Sequence, residues 1–256
     1  MKIITHDLPQ FETLEIYPLA DVHVGDPLQD KKRLKQFMDE ILEQENRYVI
    51  VNGDIINNAV RHGVSDIYAE ELNPNEQIEA TVALLEPIKN RVLVITEGNH
   101  EKRTYKQDGI LIMYQVAQRL GIADTYSPGA YLLFVKFGKS QGRKCRKMPY
   151  AIYGKHGAGG GRKAGAKAIR LLEMAETVDA DIYIHSHTHL PMIIPGLFYR
   201  CDYRNCKVTP VEKMFINTNG FLLPGGYGEE KGMAPVSTKY PKIILNGIKR
   251  DIKVVI

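Results

Sequence analysis

The segment 181-DIYIHSHTHL-190 decides how the rest of the chain is read. Ile182, Tyr183 and Ile184 have the β-branched and aromatic character of a short buried strand. The residues after them turn polar, and three, His185, His187 and His189, are imidazoles at alternate positions in a chain with only eight histidines. An apolar strand that stops at a histidine-bearing tip puts reactive groups where open α/β sheets bind ligands, just beyond the carboxyl ends of their strands.

The same design recurs outward from this segment. TLEIYPL (13–19) runs into ADVHVGD, RYVIV (47–51) into NGD, RVLVIT (91–96) into EGNHEKR, and MPYAIYG (148–154) into KHG. Helical apolar spacing separates them: Leu34, Phe37, Met38, Ile41 and Leu42 within 30–46, then 75–90, 109–120 and, after GAGGGR, 163–178. Alternation of strand, tip and helix is the pattern of an α/β protein with parallel strands. The last fifty residues alternate strand and turn, ending in a pair of strands about Asn246-Gly247, a hairpin signal. The length suits one domain, 1–256, with a basic insertion near 138–148 and a cysteine-containing hairpin near 199–208.

The tips carry metal-binding side chains in order: Asp21 and His23, Asp54, Asn99 and His100, His156, then His187 and His189. Singly, each is more often a solvated turn or a satisfied polar residue. Five successive tips are not explained as turns. Carboxylates, imidazoles and a carboxamide suit manganese ahead of iron, zinc or nickel, and the lack of cysteine at the tips argues against a thiolate site. There are enough donors for two divalent ions with a shared bridge, and ions ~3.5–4 Å apart serve phosphoryl displacement.

The ordered blocks DVH, GD, GNHE, H and HTH resemble those of the calcineurin-like metallophosphoesterases, D-x-H, G-D, G-N-H-D/E, H and G-H-x-H, from Asp21 to His189. The resemblance implies an α/β fold, a β-sandwich flanked by helices in α-β-β-α layers, with a two-metal centre at one rim. It implies that Asp21, His23 and His189 hold one metal, that Asn99, His156 and His187 hold the other, and that Asp54 bridges them. His100 would face the leaving group as the catalytic residue, and His185 falls outside the pattern. Ser186 stands where the family has Gly. The phosphoprotein phosphatase branch has G-D-x-x-D-R-G, whereas this chain reads GDIINNA with Asn57 in place of the second Asp, and it has Glu97 where that branch has Arg. Both departures argue against phosphoprotein substrates.

Charge points to the substrate class. Between Thr125 and Leu172 there is no Asp or Glu but there are eleven basic residues, leaving twenty-three basic against thirty acidic in the remainder of the chain. A one-signed stretch around the ligand His156 concentrates an anionic partner, and Lys144, Arg146, Arg162 and Lys163 are the expected contacts to a phosphate backbone. The expectation is a phosphodiesterase acting on DNA or RNA. The alternatives are an enzyme for nucleotides or other small phosphate esters, and a metal-stabilised binding protein without turnover. GAGGGR matches neither a Walker loop nor a dinucleotide fingerprint. Three cysteines, Cys145, Cys201 and Cys206, do not make a disulfide framework; free thiols or a structural zinc are the readings left. No apolar run reaches the ~20 residues of a membrane span and the start lacks a signal-peptide pattern, so no membrane partner and a cytoplasmic location are expected.

Overall fold

A computed structural model describes residues 1–60, 66–139, 147–159, 161, 163–225, 229 and 236–256. In chain order the strands are β1 (Lys2–Asp7), β2 (Thr13–Leu19), β3 (Arg47–Asn52), β4 (Val92–Thr96), β5 (Tyr126–Ser127), β6 (Tyr131–Phe137), β7 (Met148–Lys155), β8 (Ile182–His185), β9 (Met192–Asp202), β10 (Lys207–Asn217), β11 (Lys242–Asn246) and β12 (Ile252–Val255). The α-helices are α1 (Lys31–Leu42), α2 (Pro74–Leu85), α3 (Glu101–Asp108), α4 (Ile112–Arg119) and α5 (Ala164–Leu172).

The strands form two six-stranded sheets, ordered β1-β6-β7-β8-β10-β9 and β12-β11-β2-β3-β4-β5. Their layering follows from period-two alternation along each strand. In β2, Leu14 and Ile16 enter a core shared with Leu133, Ile152, Ile182 and Ile184 of the other sheet, while Tyr17 and Leu19 face outward onto Phe37 and Ile41 of α1. Tyr183, between the two inward isoleucines of β8, packs outward against Leu171 of α5. The result is helix, sheet, sheet, helix. Buried side chains each contribute roughly 1.5–3 kcal/mol, so this double alternation is what holds the two sheets face to face.

The expected parallel arrangement holds for β2-β3-β4-β5, for β1 with β6, and for β7-β8-β10. It fails for β6 with β7, β9 with β10, and β11 with both β2 and β12, which are antiparallel. Three elements lie outside the sequence reading, among them the two-residue strand β5. β1 is an edge strand with one buried residue, too weakly apolar to announce itself, and α3 begins directly after GNHE. The helix read over 75–90 is shorter, because Pro87 cannot continue the α2 ladder and the chain tightens into a 3₁₀ turn over Glu86–Arg91. The closing hairpin is present, but Leu245 pairs with Ile252, so its turn is longer than the two residues of an Asn-Gly turn; the Asn246 side chain accepts from the N–H groups of Ile248 and Lys249 instead.

The carboxyl ends of β2, β3, β4, β7 and β8 converge on one rim, where the Asn52 amide at the end of β3 donates to the Lys155 carbonyl at the end of β7 (3.1 Å). The β9–β10 hairpin points the other way, because β10 runs parallel to β8 and ends at the rim. Cys201 and Cys206 are free and exposed at its far end, and Cys145 lies outside the described residues. Among the described residues no helix is long and apolar enough to cross a membrane.

Candidate metal centre

The rim is built from strained backbone. Among the described residues seven non-glycine positions have positive φ, and five of them are Asp21 (53°), His23 (51°), Asp54 (51°), His187 (67°) and His189 (51°). Left-handed backbone costs an L-residue roughly 1–2 kcal/mol, and it persists where the surroundings over-determine it, typically at functional sites. Each of these turns follows the end of a buried strand and swings a polar side chain inward. Gly53 and Gly98 let the β3 and β4 tips touch: a Cβ on Gly98 would lie 2.0 Å from Asp54 Oδ1, and one on Gly53 2.5 Å from the Gly98 nitrogen.

The side chains converge in three overlapping groups whose candidate ligand atoms lie within 4.8 Å of one another: Asp21, His23 and His189; Asp54, His156 and His187; and His23, Asp54 and His100. In the first, Asp21 Oδ1 is 3.1 Å from His189 Nε2, and His23 Nε2 is 3.4 Å from the same nitrogen. In the second, His156 Nε2 lies 3.0 Å from Asp54 Oδ2 and 3.2 Å from Asn99 Oδ1. Asp54 and His23 each belong to two groups, and Asp54 is the carboxylate that two groups share. The eight residues named by the D-x-H to H-x-H pattern thus come to one place. A divalent cation fits this donor set: Asp21 is fully buried, yet its Oδ1 has no hydrogen-bond partner, and carboxylate oxygen and imidazole lone pairs face one another across a few ångströms.

Neighbouring groups fix the ring orientations. Asn57, where a phosphoprotein phosphatase has Asp, accepts from His23 Nδ1 (3.1 Å), turning Nε2 toward Asp21 and His189. The Asn52 carbonyl accepts from His156 Nδ1 (2.8 Å), turning Nε2 toward Asp54. Such partners set the tautomer of a metal-binding imidazole. Burial, reinforced by the His100 and His189 rings, holds His23 well below the ordinary histidine range, so that it is neutral as a ligand must be. Burial acts against the charge on Asp54, but His156, and then His100 and His23, hold its carboxyl well below the carboxylate range. Burial likewise opposes a charged His156, and Asp54 outweighs it, pushing the imidazole up to about 10; a cation bound there displaces that proton.

Three residues that the sequence reading left without a role brace these tips. Glu101, fully buried at the start of α3, accepts from the N–H groups of Asp54 (3.0 Å), Ile55 (2.7 Å), Ile56 (3.2 Å) and Gly98 (2.8 Å). Burial and the Asp54 charge push its carboxyl up to about 7, while the four amide hydrogens favour its carboxylate form. His185 is buried and donates from Nδ1 to Asn217 Oδ1 (2.9 Å), and the Asn217 amide in turn holds the Thr188 hydroxyl (2.9 Å) and the Leu190 carbonyl (2.6 Å) on either side of His189. Ser186 uses the hydroxyl a glycine lacks: the Asn52 amide donates to its Oγ at 2.6 Å, tying the β3 tip to the β8 tip. The last E of GNHE was already part of the recognised pattern and could have flagged Glu101; nothing local marks Asn52 or Asn217.

Ser186→Ala should therefore leave one buried Asn52 N–H without its acceptor, at a cost of about 1–3 kcal/mol. That predicts a fall of roughly 2–10 °C in Tm, read by thermal unfolding in chelator so that metal binding does not contribute. An unchanged Tm would mean that glycine or alanine serves equally well there.

His100 belongs to the third group, with His23 and Asp54, and has further partners of its own. Its backbone N–H donates to Asp54 Oδ1 (2.8 Å), its Nδ1 to the Asn57 carbonyl (2.6 Å), and its Nε2 lies 3.9 Å from Asp54 Oδ2 and 3.0 Å from the Arg103 guanidinium. Burial holds this imidazole below the ordinary value; Asp54 opposes the shift and Arg103 adds to it. Arg103, one turn along α3, thus brings positive charge to the same spot, which the sequence reading did not anticipate.

The basic residues divide between two ends of the fold. Lys155 ends β7 at the rim, Lys167 donates to the Thr188 carbonyl between His187 and His189 (2.8 Å), and Arg170 lies one turn along α5. Lys136 lies one residue before the end of β6, at the opposite end of the fold, and Lys147 pairs with Asp7 there. Of the four expected backbone contacts, Lys163 is exposed at the start of α5, while Lys144, Arg146 and Arg162 lie outside the described residues.

Compared with known proteins, the chain matches the calcineurin-like phosphoesterase family over residues 18–191. A predicted phosphoesterase of Streptococcus pneumoniae is 14% identical with a TM-score of 0.40, covering 95% of this chain and 89% of that one. A metallophosphoesterase from Sphaerobacter thermophilus is also 14% identical at a TM-score of 0.40, covering 91% and 84%. No curated protein matches significantly.

Proposed function

The chain belongs to the calcineurin-like phosphoesterase family, and on that premise we propose that it is a two-metal phosphodiesterase whose substrate is DNA or RNA. As a family member it is a metal-dependent phosphoesterase. Asp21, His23 and His189 would hold one cation and Asn99, His156 and His187 the other, with Asp54 the carboxylate that would serve both. The oxygen and imidazole donors suit manganese first. Divalent cations held there would supply Lewis acidity toward a phosphoryl oxygen and a water of lowered pKa.

The chain's own groups do the rest. Glu101 and Asn52 keep the tips from spreading, so the ligands need little rearrangement when charge develops. His100, anchored through Nδ1, keeps Nε2 over the Asp54 carboxylate, where in its protonated form it delivers a proton to the departing oxygen, and Arg103 offsets negative charge beside it. A positioned acid of this kind contributes typically ~10²–10⁴-fold.

The observation that carries the substrate class is the convergence of Lys155, Lys167 and Arg170 on the ligand-bearing rim. Contact with a polyphosphate backbone releases counterions, so cleavage of DNA or RNA under limiting substrate should fall steeply with salt, with a slope of about 0.7–0.9 per phosphate contact. Hydrolysis of bis-p-nitrophenyl phosphate, gripped at the metals alone, should change little over the same range. The test is initial rates on single- and double-stranded DNA, RNA, bis-p-nitrophenyl phosphate and p-nitrophenyl phosphate, each with manganese, at several salt concentrations. Turnover of the monoester alone, or equal salt dependence for the polymer and the small diester, would replace this reading with one of small phosphate esters.

A further inference from the structure

Beside His156 the rim continues into a cavity of about 440 Å³, whose wall includes Lys102 of α3, Lys155 of β7, Arg170 of α5, Gly157 and His185. Its cations come from three separate elements. Among the described residues, the Lys102 and Lys155 side chains have no hydrogen-bond or ion-pair partner. Among the described residues Arg170 is paired only with Glu173, just past the end of its own helix, at 3.4 Å and largely exposed, a contact of small worth. Among the described residues Glu173 is the one carboxylate on the wall against three cations, a surplus of two positive charges.

The wall also excludes other occupants. Among the described residues it carries no Phe, Tyr, Trp or large aliphatic side chain, and its two rings are the imidazoles of His156, a candidate ligand, and His185, held by Asn217, so it offers little for a nucleobase to stack on. Its remaining surface is backbone and small side chains at Gly129, Ala130 and 157–159. Gly157 is required there: it has φ 98°, and a Cβ would fall 2.1 Å from His185 Nε2. With His185 itself pinned by Asn217 (2.9 Å), this side of the cavity is rigid. A rigid, unstacked, cationic recess is suited to a compact anion.

We propose that this cavity is a subsite for a second phosphate of the substrate, held by Lys102 and Lys155 while the scissile phosphate sits at the metal ligands. The assignment rests on the phosphoesterase reading of the neighbouring centre and sharpens it: a simple monoester leaves the subsite unused, whereas a molecule with two phosphates engages both. A neighbouring phosphate can come from a nucleic-acid chain, where a sugar separates it from the first, or from the anhydride of a nucleoside diphosphate.

The test is calorimetric titration of the manganese-loaded protein with thymidine 5′-monophosphate, thymidine 3′,5′-bisphosphate and thymidine 5′-diphosphate. At least one two-phosphate probe should bind roughly tenfold or more tightly than the monophosphate, as charge-assisted contacts allow. A Lys102→Gln/Lys155→Gln variant should lose that preference and a Lys102→Arg/Lys155→Arg variant should keep it, which separates loss of charge from loss of fold. Preference for the bisphosphate identifies a chain phosphate, and preference for the diphosphate an anhydride. Equal affinity for all three probes, or a preference that survives in the Gln variant, overturns the subsite. Hydrolysis of bis-p-nitrophenyl phosphate by the wild-type protein is measured alongside: its absence would overturn the phosphodiesterase reading while leaving the binding result to judge the cavity.

Discussion

Replacing Asp54 by Asn should remove metal and activity together, lowering kcat/KM by more than about 100-fold. Loss of a group that merely orients a ligand costs ~10–100-fold, and Asp54 is the carboxylate shared by two of the three ligand groups. The substitution preserves shape: an Asn oxygen can still accept from the His100 N–H, now 2.8 Å from Asp54 Oδ1. What disappears is the negative charge that His156, 3.0 Å from Oδ2, and His100, 3.9 Å away, face across the buried site. Elemental analysis of the purified variant beside its turnover of bis-p-nitrophenyl phosphate decides the matter. Two ions retained at full occupancy with normal turnover would reject the bridging role.

The second large effect belongs to Glu101, which contacts no proposed ligand atom of either cation. Glu101→Gln replaces a carboxylate that accepts four amide hydrogens with a carboxamide whose NH₂ confronts some of them. Hydrogen bonds to a charged group contribute about 1.5–3 kcal/mol each, and a buried donor left without a partner costs a similar amount. A loss of roughly 3–5 kcal/mol is expected, a fall of about 6–20 °C in Tm at 2–4 °C per kcal/mol. Measured in chelator, this fall reports the fold alone. Metal affinity should weaken as well, because the N–H groups set free belong to the turn that holds Asp54 at φ 51°. A variant that melts like the wild type would show that the turns hold themselves in place.

These two residues also mark the limit of what could be read in one dimension. Asp54 is visible in the sequence because a turn with Gly and Asp after four apolar residues recurs in kind at four other strand ends. Glu101 was visible only as a letter in a recognised block. Its function, joining the β3 tip to the β4 tip, depends on a contact between residues more than forty positions apart. Ser186 is similar: it stood out as a departure from the family's glycine, and only the 2.6 Å hydrogen bond from Asn52 explains why a hydroxyl is useful there.

The identity and order of the candidate ligands, the strand-tip-helix rhythm, and the two-faced alternation of strands such as 13–19 and 182–185 follow from residue chemistry and from local periods of 2 and 3.6. The tertiary structure decided what distance in space decides. It set the antiparallel pairings that complete each sheet, the left-handed turns that aim the side chains inward, and the destination of the charges. In the sequence the basic stretch from 136 to 170 is continuous. In the fold, β6 and β7 carry Lys136 and Lys147 to the end opposite the ligands, and bring Lys155 to the rim beside Lys167 and Arg170 of α5. A strand spans about 3.3 Å per residue, so charges adjacent in the sequence can end at opposite faces of the molecule, and only the path of the chain assigns each to one side.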